Sequence, residues 1–175
     1  MLVIIGRLEN DFEVERTERR GLDEELEKGQ NLARPDVALT PNDSDAAPIA
    51  VAFTTFPGLH VRFGRWYIEP FPDCGCDACD ESTGDEIERL GDMVDDVTAG
   101  RFRETIEIPA LSFMGSGWRE TRFWSPDDGR NSTRFRSRSR VEGLRAREMS
   151  EGRRRLDLNW KPWRLRETTK KRQVC

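Results

Sequence analysis

The chain has 175 residues, of which 35% are charged and 35% hydrophobic, with a formal net charge of −4. That length suits one domain with its own core, and a charged share well above about a quarter points to arms that bury little. No apolar run reaches membrane-spanning length, and the opening Met1-Leu-Val-Ile-Ile-Gly-Arg7 is too short and lacks the basic flank of a signal peptide, so a soluble cytoplasmic protein without a membrane partner is expected.

Leu2, Ile5, Leu8 and Phe12 recur at helical spacing and predict an amphipathic helix. It starts apolar at Met1 with no capping residue before it, which points to a start inside a longer native helix. Residues 15 to 36 are charged and end in Arg34-Pro35, reading as a partly helical connector. Ile49, Val51 and Phe53 alternate, Phe56-Pro-Gly58 offers a turn, and Leu59, Val61 and Phe63 alternate again: two antiparallel strands with one buried face. Val37 to Thr40 adds a candidate third strand. Thr83 and Glu86 make a capping box ahead of Ile87, Leu90, Val94 and Val97, a stripe that predicts a helix from Asp85 to Ala99, closed by Gly100. Thr105 to Ile108 and Trp118 to Trp124 supply two more strands, for a sheet of four or five. Ser125 to Ser139 holds Gly, Asp, Asn, Ser and Arg with Phe135 the only large apolar residue, and reads as a loop; Val141 to Glu151 reads as a short helix. Leu156 to Trp163 restores hydrophobicity and is expected to return to the core before a disordered tail, with Pro162 keeping it extended.

The densest chemistry lies in Phe71-Pro-Asp-Cys-Gly-Cys-Asp-Ala-Cys-Asp-Glu81. Cys74, Cys76 and Cys79 have C-x-C-x2-C spacing, and Gly75 lets the backbone bend so that neighbouring sulfurs converge; three thiolates suit tetrahedral zinc. His60, Asp77, Asp80 and Cys175 are the candidates for a fourth ligand. Zinc, reduced structural thiols and a disulfide all stay open. A deaminase would need H-x-E, and the sole histidine stands in His60-Val-Arg62, so that reading fails on the glutamate. A thioredoxin-like role for Cys76 and Cys79 would need a βαβ setting, whereas the preceding strands read as antiparallel.

Charge divides the chain: residues 1 to 100 hold 23 acids and 9 bases, residues 101 to 175 hold 10 acids and 20 bases. Arg130 to Arg155 carries ten arginines against three acids. The bland reading is an arm attracted to the acidic half; the alternative is phosphate contact, with Trp118, Trp124, Trp160 and Trp163 as stacking surfaces.

Val61-Arg-Phe-Gly-Arg-Trp66, the cysteine stretch, Ala99-Gly-Arg-Phe102 and Arg155-Leu-Asp157 with Trp160 and Trp163 together resemble an uncharacterised, mostly actinobacterial family classed as a domain of unknown function. The resemblance runs from about Val37 to Trp163. It implies no activity, cofactor or catalytic residue. The chain departs from the family pattern in the Leu-Asn between Asp157 and Trp160 and in its long Arg-Ser segment.

These readings converge on an α+β domain: a small antiparallel sheet covered by two helices, a cysteine knuckle between sheet and helix, and a charged C-terminal arm. The core domain spans 1–124 with the knuckle at 74–79, the arm 125–155, and the tryptophan segment and tail 156–175. The function expected is a non-enzymatic cytoplasmic accessory or interaction protein with a structural, zinc-compatible cysteine cluster. The alternatives are a thiol or metal-dependent enzyme at that cluster, or weak nonspecific nucleic-acid binding through the arginine arm.

Overall fold

In the computed structural model, residues 1–22, 24–27, 30–55, 58–72, 82–107, 117–124, 133–141 and 155–167 are described. Among them, five strands form a consecutive antiparallel sheet: β1 (Val14–Arg19), β2 (Asp36–Pro41), β3 (Ile49–Thr54), β4 (Gly58–Phe63) and β5 (Tyr67–Phe71). A second antiparallel sheet has the order β8-β7-β6-β9, from β6 (Phe102–Glu107), β7 (Gly117–Trp124), β8 (Thr133–Val141) and β9 (Arg155–Asn159). The helices are α1 (Leu2–Asp11), the single turn α2 (Glu24–Glu27) and α3 (Thr83–Thr98).

The expected hairpin is present, with Phe53 opposite Leu59 and Val51 opposite Val61. Its buried face joins Val37 and Leu39 of β2 to Ile5 and Leu8 of α1 and to Leu90, Val94 and Val97 of α3 in one core cluster. Such faces follow from period-2 alternation in the strands meeting period-3.6 stripes on the helices. α3 begins two residues earlier than expected: Ser82, not Thr83, is the N-cap, accepting the Asp85 backbone N–H at 3.1 Å.

The fold class itself is corrected. The protein is mostly β, with two sheets in place of one sheet under two helices. Four segments account for the difference, one of them β9, expected as an extended strip on the core and found paired with β6 as the last strand of the second sheet. Val14-Glu-Arg-Thr-Glu-Arg19, inside the presumed connector, is an edge strand that pairs with β2 along its whole length. Its lack of apolar alternation follows from its edge position with both faces largely wet. Tyr67–Phe71 contains Pro70, which an edge strand tolerates, and it pairs with β4 at the other edge. Thr133–Val141, expected as part of a loop or arm, alternates arginine with Thr, Phe, Ser and Val, a strand period, and pairs with β7. The cysteine knuckle at 74–79 lies outside the described residues, and of the expected short helix Val141 to Glu151 only Val141 is described, as the end of β8.

The inner face of the second sheet reaches the first through aromatics. Phe123 lies with its ring centroid 4.7 Å from Phe102, 5.9 Å from Phe63 and 5.7 Å from Tyr67. Ile106, Leu156 and Leu158 form a smaller cluster with Trp66. After β9, Trp163 inserts beneath the first sheet, 4% exposed, donating its indole N–H to the Ala47 carbonyl at 2.8 Å and meeting Phe12 edge-on. Arg164 and Arg166 stay exposed. Among the described residues no helix is long and apolar enough to cross a membrane.

Candidate functional site

Strand alternation in β6 sends Phe102, Glu104 and Ile106 inward together. Glu104 is therefore a carboxylate with no solvent exposure. One of its oxygens accepts the Arg65 backbone N–H at 2.8 Å and the Trp160 indole N–H at 3.0 Å; the other accepts the backbone N–H groups of Trp66 at 2.8 Å and Tyr67 at 3.1 Å. Burial pushes the carboxyl above its ordinary value, while the four donors pull the other way. The turn between β4 and β5 must come close for this to happen. Gly64 makes that approach with φ +67°, where an added Cβ would sit 2.3 Å from the carboxylate. Glu104 thus fastens the second sheet to the first and to the chain leaving β9. It is inaccessible and held by donors alone, which makes it a structural junction.

The opposite face of the second sheet is different in kind. Register places Arg138, Glu120, Thr105 and Asp157 in one row across β8, β7, β6 and β9, with Arg136, Arg122, Arg103 and Asn159 beside it. A third row holds Trp118, Glu107 and Arg155. Glu120 pairs with Arg122 and, at 2.6 Å, with Arg136. Against a burial that pushes it up, Arg136 and Arg122 hold the Glu120 carboxyl below its ordinary value. Asp157 accepts from Arg155 at 2.8 Å, from the Thr105 hydroxyl at 2.8 Å and from Arg103. Arg155, more than any other neighbour, holds it well below the usual carboxylate range. Trp118 is 37% exposed, and the Arg138 guanidinium carbon lies 4.6 Å from its ring centroid. The described side chains give this face five arginines against three carboxylates.

Two recesses open on this surface. One, of about 240 Å³, lies over the sheet between Trp118, Glu120, Arg138 and Arg155. The other, of about 250 Å³, lies where β7 and β9 end, and Trp124, Trp160, Arg103 and Arg122 wall it. Arg122 belongs to both. A third recess, of about 460 Å³, is also lined by Trp160 and lies beside the ion pair of Lys161 and Asp45, where opposite charges balance.

Residues 3–167 match a family described as "Family of unknown function (DUF6226)". The chain belongs to this family. No curated protein and no solved structure matches it.

The sequence-predicted metal ligands Cys74, Cys76 and Cys79 lie outside the described residues, as do the candidate fourth ligands Asp77, Asp80 and Cys175. Among the described residues no group of three His, Cys, Asp or Glu side chains is placed to hold a metal ion. His60 sits on β4 opposite Ala52 and Pro70, on the face away from Val61. The segments flanking the cysteines are tied together by Arg89 of α3: it pairs with Glu69 and Glu86, donates to the Pro70 carbonyl at 3.2 Å, and lies 4.3 Å over the Phe71 ring. Most side chains of the arginine arm, expected to be attracted to the acidic half, lie outside the described residues. Of its described side chains, Arg136 pairs with Glu120 in its own sheet. Sequence reasoning missed Glu104, and its signal was a charged residue inside the inward register Phe102-x-Glu104-x-Ile106.

Proposed function

We propose that the protein is a non-enzymatic interaction module, and that the outer face of its second sheet is the surface that takes an anionic partner. The carrying observation is the ordered arginine array on that face, fixed by Glu120 and Asp157. Both carboxyls are held below their ordinary range, so they serve as fixed anions that aim guanidiniums and are poorly matched to proton transfer near neutral pH. A guanidinium has five N–H donors, so an arginine paired to one carboxylate keeps donors for a ligand. A cytoplasmic setting belongs to this reading and rests on the sequence.

Titration with inorganic polyphosphate at about 50 mM salt should bind and quench tryptophan fluorescence, and binding should fall steeply as salt rises. The double variant Arg136→Glu, Arg138→Glu should abolish it. Unchanged binding in that variant would move the site elsewhere.

A second reading concerns Cys74, Cys76 and Cys79, proposed as zinc ligands in a structural knuckle. Their spacing supports it, and so does the Arg89 tie, which holds both flanks of the segment and lowers the entropy lost on binding a metal. Reduced protein should carry about one zinc per chain, released by serine at any of the three with a fall in melting temperature. Metal content near zero, with a melting temperature indifferent to chelator, rejects it.

A further inference from the structure

Charge explains why an anion would come to the outer face of the second sheet, but it does not explain the tryptophans there. Trp118 and Trp124 share β7 at an even spacing, six residues or about 20 Å apart along the strand. Trp118 is one of few large apolar side chains left exposed among the described residues. Trp124 and Trp160 stand together in the recess at the end of the sheet, with Arg103 and Arg122 beside them. The pattern is aromatic, guanidinium, guanidinium, aromatic along a nearly open sheet.

Resting on the anionic-partner reading, we infer that this face binds single-stranded nucleic acid. One base stacks on Trp118, another enters the recess of Trp124 and Trp160, and the phosphates between them run over Arg122, Arg136 and Arg103. An unpaired strand offers what the surface asks for: flat π faces at intervals joined by negative charge. A duplex hides its base faces, and among the described residues this face of the sheet carries no helix to enter a groove. An acidic peptide would satisfy the arginines but leave the tryptophan faces without a matching surface. The carboxylates Glu107, Glu120 and Asp157 face the same strand and offset part of the attraction, so binding is weak, and stacking contributes much of its selectivity over a plain polyanion.

The test compares three labelled ligands on the full chain by fluorescence anisotropy: a single-stranded oligonucleotide of about twelve nucleotides, an abasic strand of the same length and charge, and the matching duplex. The base-bearing strand should bind at least about tenfold tighter than the abasic one. Trp118→Ala should remove most of that advantage, and Trp118→Phe should retain it, which separates stacking from damage to the fold. Arg136→Glu should weaken both single strands alike. Equal affinity for the abasic strand, or preference for the duplex, overturns the inference while leaving the anionic-partner reading in place. Binding of an acidic peptide in a Trp118-dependent way, with no binding of the base-bearing strand, overturns it in favour of a protein partner. No binding of any oligonucleotide or of polyphosphate at about 50 mM salt removes both.

Discussion

The two sheets solve the same backbone problem with opposite side-chain chemistry. The first buries Val37, Leu39, Ile49, Val51, Val61 and Phe63 against α1 and α3, and its stability comes from area removed from water. Among its described residues, the second buries the apolar side chains of Phe102, Phe123 and Ile106, docks through the Glu104 junction, and covers its other face with ion pairs. Exposed ion pairs contribute little to folding. The lesson is a division of labour: the first sheet holds the fold, and the second presents a surface whose residues can change at small cost to stability.

The sharpest way to break this comparison is Glu104→Leu, which keeps the volume but leaves three backbone N–H groups and one indole N–H without their acceptor. At roughly 1 to 3 kcal/mol for each buried donor, the loss should be at least about 4 kcal/mol in a denaturant titration. A loss under about 1 kcal/mol would mean that the sheets are joined by their aromatics alone. Next comes Trp163→Ala, which empties a buried site beneath the first sheet and should cost about 3 to 5 kcal/mol. If it costs no more than a surface change, the last segment is not part of the core.

Acid separates the two carboxylates by sign. Asp157 is held below its unfolded value, so its contribution is present above about pH 4 and is lost as pH falls through the folded value. Glu104 is raised, so the pH-linked part of its contribution is present below about pH 4.3 and is lost as pH rises through its folded value, apart from the donors it satisfies. The cost of Asp157→Asn should therefore shrink between neutral pH and about pH 2, and a cost that stays constant would show that its arginines give it no pH-dependent role. The smallest effect is expected at Glu120 and Arg136, where Arg136 is half exposed: a double-mutant cycle should give about 0.5 kcal/mol of coupling. Coupling above about 2 kcal/mol would make the outer face structural and undercut its reading as a binding surface.

The apolar patterns were legible. Ile49 to Phe63 alternates because half of each strand faces the core, and Leu90, Val94 and Val97 repeat at helical spacing because one stripe of α3 does. β8 carried its period openly in Thr-Arg-Phe-Arg-Ser-Arg-Ser-Arg-Val, but alternation of arginine with small residues resembles solvated loop composition unless a partner strand is known. β1 had no period to read, because an edge strand is held by backbone hydrogen bonds that any side chain permits. The cysteine motif was the plainest chemical signal, and it marks a stretch between β5 and α3 whose flanks Arg89 ties together.

By itself, then, the sequence determined where α1, α3 and the β3–β4 hairpin lie and much of what they bury, though Leu2 and Ile87 of the expected stripes are exposed, and that charge divides between the two halves, since each follows from local period or composition. The tertiary structure alone decided that the later strands form a second sheet, that the glutamate between Phe102 and Ile106 meets the backbone of a turn 37 to 39 residues away, and that Arg122, Arg136, Trp118 and Trp124 share one surface. Those outcomes depend on pairings between distant segments, and no local pattern in the chain encodes which strand a given strand will meet.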